Sequence, residues 1–214
     1  MIILIGLVLI PSISLDKIYR SVYYLGMDNP QRLLDCALEL FSQRGYDAVG
    51  VREVVEAAGV TKPTLYHYFD SKRGLLDALL QREAGYVLGQ ILHASIYQGD
   101  LVITLENIAK AYFYYAQRNI TFYRMQLAMY FSPPESESNQ AIRPFTIQQR
   151  EILEGVFIQA AQDHGNLHGR HARYAAGLLG MINAMIGLYI NEELALTDEL
   201  VYQTVHQFMH GIFS

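Results

Sequence analysis

The stretch Gly50 to Phe69, GVREVVEAAGVTKPTLYHYF, constrains the fold of this chain more than any other. Val51, Val54, Val55 and Ala58 recur at three- and four-residue steps, as one apolar face of a short helix does. That helix has to stop at Gly59, the residue type that enters left-handed backbone at low cost, and Thr61 stands where it can cap a second helix. Pro63 fits only the first turn of that helix, where a missing N–H leaves no bond unmade. Along that helix, apolar Leu65 and Phe69 alternate with polar Lys62, Thr64, Tyr66 and His67. Two short helices joined by a Gly-containing turn of this length read as a helix-turn-helix, the second helix being the one that reads DNA.

The segment AAGVTKPTLYHYFDSKRGLL resembles the DNA-binding signature of the TetR family of transcriptional regulators. Upstream, LLDCALELFSQRGYDAVGV resembles that family's first helix and the Gly-aromatic turn after it, so the likeness covers about Met27 to Glu83. The resemblance implies an all-α chain: an N-terminal three-helix helix-turn-helix DNA-binding unit over 27–83, then a helical ligand-binding and dimerisation body over 84–214. It also implies that Thr61, Lys62, Pro63, Thr64, Tyr66 and His67 divide base-edge and phosphate contacts, and that Lys72 touches a phosphate at the start of the next helix. Elementary chemistry agrees. Thr61 and Ser71 sit where helix N–H groups face phosphate oxygens, and a lysine such as Lys62 can reach guanine acceptors in the major groove. Four positions depart from the family pattern. Gly50 replaces a capping Thr or Ser, Pro63 replaces a more usual Gly, and Arg73 and Gly74 replace common acidic residues, adding charge near DNA.

Charge has to be weighed against this reading, because the chain carries a net charge of −5. Neither 27–83 nor 84–214 holds more Lys and Arg than Asp and Glu, but between Thr61 and Arg73 three cations, Lys62, Lys72 and Arg73, face only Asp70. Positive charge therefore gathers where DNA should lie, on an otherwise acidic body that discourages indiscriminate binding. The lone cysteine, Cys36, excludes an internal disulfide and falls among the apolar positions of the first helix, as a core residue does.

Residues 1–26 stand outside the pattern. MIILIGLVLI is shorter than the roughly 18 to 20 apolar residues needed to span a bilayer, and no Lys or Arg precedes it as a signal peptide requires. We read it as an N-terminal extension atypical of the family, with Met27 as the ancestral start. Helices are then expected from Asn29, capping ahead of Pro30, to Gly45; from a Ser71 cap to about Ser95; and from an Asp100 cap to a break at Asn119. The polar run SPPESESNQ, Ser132 to Gln140, reads as a mobile loop, followed by a helix over about Ala141 to Asp163. Tyr174 to Ile190 is apolar enough to raise a membrane span, but its length and Asn183 favour a buried helix. It carries a stripe of small residues, Gly177, Gly180, Ala184 and Gly187, and a separate large one, Tyr174, Leu178, Met181, Met185 and Leu188. After Thr197 a last helix presents Val201, Val205, Phe208 and Ile212.

The helices over 101–131 are dense in aromatic and Met residues, and from these Tyr112, Tyr115, Phe122, Met125 and Met129 are expected to wall a pocket for a small apolar effector, against the helix from Ser71. No cofactor is expected. His164, His168 and His171, and His206 with His210, lack the carboxylate or Cys partners of a strong metal site and read as surface histidines. No nucleophile elbow, HExxH or paired-carboxylate pattern points to an enzyme. The expectation is a cytoplasmic, ligand-responsive repressor that binds palindromic double-stranded operator DNA as a homodimer, with no membrane partner. The alternative is a helical ligand- or partner-binding protein that no longer binds DNA.

Overall fold

The computed structural model describes residues 28–211. Among them are nine α-helices, one 3-10 turn and no strand: α1 Asn29–Arg44, α2 Val51–Ala58, α3 Lys62–Phe69, α4 Lys72–Ala94, α5 Leu101–Arg118, α6 Ile120–Tyr130, α7 Glu137–Ala160, the turn Gly165–Leu167, α8 His171–Ile190 and α9 Asp198–His210. The extension 1–26, and Ile212 and Phe213 of the expected last helix, lie outside the described residues.

The first helix is capped one residue earlier than expected. Asp28 Oδ1 accepts from the Gln31 N–H at 3.1 Å, and Asn29 is already helical, its side chain accepting from Arg32 at 3.0 Å. Asp and Asn both cap well and Pro30 is tolerated anywhere in the first turn, so residue type did not distinguish Asn29, the expected cap, from Asp28. Helix α1 ends where Gly45 takes φ 81° and its N–H closes on the Phe41 carbonyl. Helices α1 to α3 then share one small core in which Leu33, Ala37, Phe41, Val54 and Leu65 are fully buried. Tyr46 stacks edge-on against Phe41 at 5.1 Å and so closes the turn over it.

Helix α4 connects this unit to the body. It packs on α1 and α3 and also on α5 and α7, and Leu75, Leu76 and Leu79 are fully buried along the way. It runs through residues 83 and 84 without a break. The body also reaches the DNA-binding unit directly, because α6 lies against α1.

Two expectations about the body change. Ser136 caps α7, accepting from the Asn139 N–H at 3.2 Å, so the helix starts at Glu137 and takes in the last four residues of the run read as a mobile loop. That run is tied down as well: the Asn139 amide donates to the carbonyls of Met129, Tyr130 and Ser132, the kind of group a helix end leaves unpaired. Ser, Asn and Pro mark loops by composition, yet these same residues cap helix ends. The second change concerns α8, which is not buried on all sides within the protomer. Only Ala175, Leu178, Ile182 and Ile186 are fully covered; of the expected large stripe Tyr174, Met181, Met185 and Leu188 are half-buried, and Gly177, Gly180 and Ala184 face outward. It is the one helix among the described residues long and apolar enough to cross a membrane by length and composition.

Candidate nucleic-acid interface

The recognition helix α3 is held from behind by a single deeply buried side chain, Leu65. Gly59 adopts the left-handed conformation, φ 65° and ψ 33°, and turns the chain from α2 into α3. Thr61, Lys62, Pro63, Tyr66 and His67 are exposed together, and Thr64 is half-buried at their edge. Tyr68 is exposed too and packs edge-on to His67 at 5.0 Å, an outward aromatic that the alternation of Leu65 and Phe69 did not single out. Thr61 does not accept from a backbone N–H: its hydroxyl lies 2.9 Å from that of Thr64, and no side chain caps α3. Gly50 has no side chain to cap α2, but Glu53 reaches back to the Gly50 N–H at 2.8 Å and also pairs with Arg44. That N–H first, then Arg44, holds the Glu53 carboxyl below the usual glutamate range.

Between α3 and α4 the chain makes a strained turn. Asp70 has φ 58° and ψ −33°, and the Ser71 N–H donates to the Phe69 carbonyl two residues back at 2.6 Å, close to the rare three-residue turn of positive φ. Gly74 makes room for it: a Cβ there would stand 2.0 Å from the Phe69 oxygen. Gly74 therefore follows from the turn that aims the recognition helix. Ser71 Oγ accepts from the Gly74 N–H at 2.9 Å and starts α4. Ser71→Ala should cost about 1 kcal/mol, a drop of about 2–4 °C in melting temperature. An unchanged melting curve would show that this cap contributes nothing.

Lys72 and Arg73 are less free than their sequence positions implied. The Lys72 ammonium donates to the Tyr46 carbonyl at 2.6 Å and lies 3.9 Å above the Tyr46 ring. Partial burial holds it below the usual lysine value, against the pull of Asp47, Glu137 and Glu53. Arg73 pairs with Asp77 at 2.8 Å and extends towards the Glu137 carbonyl, so its charge is partly answered locally. Around them the DNA-binding unit is joined to α7: the Tyr46 hydroxyl donates to Glu137 at 2.5 Å and the Ser138 hydroxyl to Asp47 at 3.2 Å. Burial, then the bond to and charge of Glu137, push the Tyr46 phenol well above its ordinary value, which keeps it the donor.

The five residues expected to wall a pocket are packed into the body's core. Tyr112, Tyr115, Phe122, Met125 and Met129 are each at most 3% exposed, and Tyr115 meets Phe122 and Tyr123 with ring centroids 6.3 Å apart. They line neither of two large cavities found among the described residues. One, about 570 Å³, opens between α4, α5 and the start of α9; the other, about 500 Å³, lies between α6, α7 and α8. Two of the buried phenols act a layer behind the second cavity. Tyr112 donates to Gln149 Oε1 at 3.1 Å and Tyr123 to Asn183 Oδ1 at 2.6 Å, and both amides face the cavity. Burial raises the Tyr112 and Tyr123 phenols far above the ordinary value, so both stay protonated.

Known proteins match this arrangement. The model of the bacterial regulatory proteins of the tetR family matches residues 33–79, from α1 into α4. The HTH-type transcriptional activator FasR of Mycolicibacterium smegmatis is 26% identical over 180 residues, 84% of this chain and 80% of that protein. The HTH-type transcriptional repressor KstR2 of Rhodococcus jostii is 47% identical over a shorter 49 residues, 23% of this chain and 24% of the repressor. Among solved structures, the transcriptional regulator FadR from Bacillus subtilis in complex with stearoyl-CoA shares the fold with a TM-score of 0.71 at 20% identity, over 85% of this chain and 98% of that one. These relatives are regulators of transcription, not enzymes. Residues 33–79 thus form a helix-turn-helix of the tetR family of bacterial regulatory proteins, its polar face turned outward, and it is joined to a helical body folded as in these regulators.

Proposed function

We propose that the protein is a ligand-responsive repressor that binds a near-palindromic operator as a homodimer in the cytoplasm and is released by a small apolar effector. Residues 27–83 serve as the DNA-binding unit and 84–214 as the ligand-binding and dimerisation body. The observation that carries this reading is the face of α3: Lys62, Pro63, Tyr66 and His67 stand outward together while Leu65 anchors the helix at full burial. Lys62 and Tyr66 are assigned to base edges, and Thr61, Thr64, Lys72 and the first-turn N–H groups of α3 to phosphates.

A helix of eight residues covers few base pairs, so useful specificity needs two half-sites related by the protein's two-fold axis. The outward small stripe of α8, with α9 beside it, is the face assigned to the partner. Effector binding acts through α4: as it swings, the contacts of Tyr46 and Asp47 with Glu137 and Ser138 are remade and the two recognition helices lose their match to successive major grooves. Ligand and DNA then oppose each other reciprocally. A gel shift with the DNA upstream of the protein's own gene, at fixed salt, tests the reading. One discrete complex at nanomolar protein that survives excess unrelated DNA is expected; no shift beyond what unrelated DNA gives would favour a partner-binding protein.

A further inference from the structure

We propose that the cavity of about 500 Å³ between α6, α7 and α8 is the effector site, and that its ligand is a hydroxylated apolar acid: an apolar body with an internal hydroxyl and an anionic end. The proposal rests on the regulator reading above and names the ligand class. Its basis is a pair of buried amides. Gln126 and Gln149 are 3% and 2% exposed, both line the cavity, and Gln126 Oε1 and Gln149 Nε2 find no hydrogen-bond partner among the described residues. Unpaired buried polar atoms are costly, and their retention beside a largely apolar cavity fits a ligand that pairs them. Gln149 is oriented, because Tyr112 occupies its oxygen and leaves the NH₂ group as the donor. Both atoms lie just beneath the cavity surface, and a hydroxyl met by the two side chains as they turn into the cavity accepts from Gln149 and donates to Gln126.

The rest of the cavity fixes the remaining chemistry. Leu127, Leu179 and Ala176 line it, and Phe131, 77% exposed, stands at its rim as an apolar surface awaiting cover. No carboxylate lines it, and the one charged lining residue is Arg150, exposed, which suits an anion held at the mouth and not a charge inside. The volume lies within the range of sites for molecules of drug or lipid-fragment size. Gly180, Ala184 and Gly187 form the α8 rim, so a partner seated on that stripe covers the opening and encloses the ligand.

A site built to pair a hydroxyl rejects the analogue that lacks it, since two polar atoms are then desolvated for nothing. The experiment is calorimetric titration of the protein, without DNA, with a panel of hydroxyoctadecanoates differing in hydroxyl position and with octadecanoate as control. At least one hydroxy acid should bind about ten-fold or more tighter than octadecanoate, and that preference should vanish in Gln126→Leu and in Gln149→Leu. Arg150→Ala should weaken the acid but not its methyl ester. Gln126→Leu supplies a readout that needs no ligand: with an unpaired amide replaced by an apolar group of similar size, its melting temperature should equal or exceed that of the wild type. Equal affinity for octadecanoate and every hydroxy acid, no binding of any of them, or a preference that survives both glutamine variants would overturn the proposal. A gel shift run in parallel separates the two readings. Glutamine-dependent binding that leaves the DNA complex intact would sink the effector role and keep the site, whereas a complex released by compounds indifferent to both glutamines would keep the regulator and sink the site.

Discussion

Lys62→Ala is expected to weaken operator binding by about 30-fold or more at fixed salt while leaving the fold intact. Lys62 is exposed in the first turn of α3, so alanine there removes no packing and suits a helix. A side chain reading a base edge is worth roughly 1–3 kcal/mol, and a symmetric dimer loses it twice, about 2–6 kcal/mol in all. Tyr66→Phe, which deletes only a hydroxyl from a half-exposed ring, should follow the same direction with a smaller loss. Fluorescence anisotropy on a labelled operator measures both, and a thermal melt confirms the fold. Wild-type affinity in Lys62→Ala would remove this lysine from the reading face.

Gly180→Leu is expected to halve the mass in solution and lower operator affinity by at least about 100-fold. In the protomer the substitution is harmless: a Cβ at Gly180 meets nothing within 4 Å, and leucine is the better helix former by up to about 1 kcal/mol. What it obstructs is the approach of a second copy along the small-residue stripe, where helices come close enough to bury the half-exposed Met181, Met185 and Leu188. A monomer keeps one recognition helix and loses every contact of the other half-site. Light scattering at micromolar protein should give twice the 24.3 kDa chain mass for the wild type and one chain mass for the variant. A dimeric variant with unchanged operator affinity would move the interface away from α8. Because Gly180 also lines the cavity, effector binding is not a fair readout for this variant.

What the sequence disclosed follows from the range of the interactions concerned. Caps are local, so Ser71 and Asp100 could be placed from residue type alone, and each side chain does accept from an N–H three residues on, although Thr61, read the same way, bonds Thr64 instead. The helix-turn-helix was legible for the same reason, since Gly59, Pro63 and the spacing of Val54, Val55 and Leu65 act within two turns of chain. The junction of the DNA-binding unit with the body was not legible, because Tyr46 and Glu137 are 91 residues apart and nothing near either announces the other. Gly74 was read as a lost acidic residue; only the placement of the Phe69 carbonyl shows what its missing Cβ allows. The aromatic density of α5 and α6 signalled buried surface correctly but not its use, as periodicity cannot tell a ring that packs from one that lines a cavity. Tyr112 was expected to wall the pocket and instead orients Gln149 from behind, as Tyr123 does Asn183. The buried glutamines, unremarkable in sequence, became informative only once their partners could be searched for in space.

Selection of DNA from a random pool by the purified full chain, followed by sequencing of the retained fragments, tests the central claim most directly. The account predicts enrichment of one inverted repeat whose half-sites lie about one helical turn, or a multiple of it, apart, as two α3 helices on a two-fold axis require. It predicts further that Lys62→Ala enriches the repeat poorly or with relaxed preference at the base pairs Lys62 reads. A pool with no enriched sequence, or a single unrepeated site recovered equally by wild type and Lys62→Ala, would contradict it.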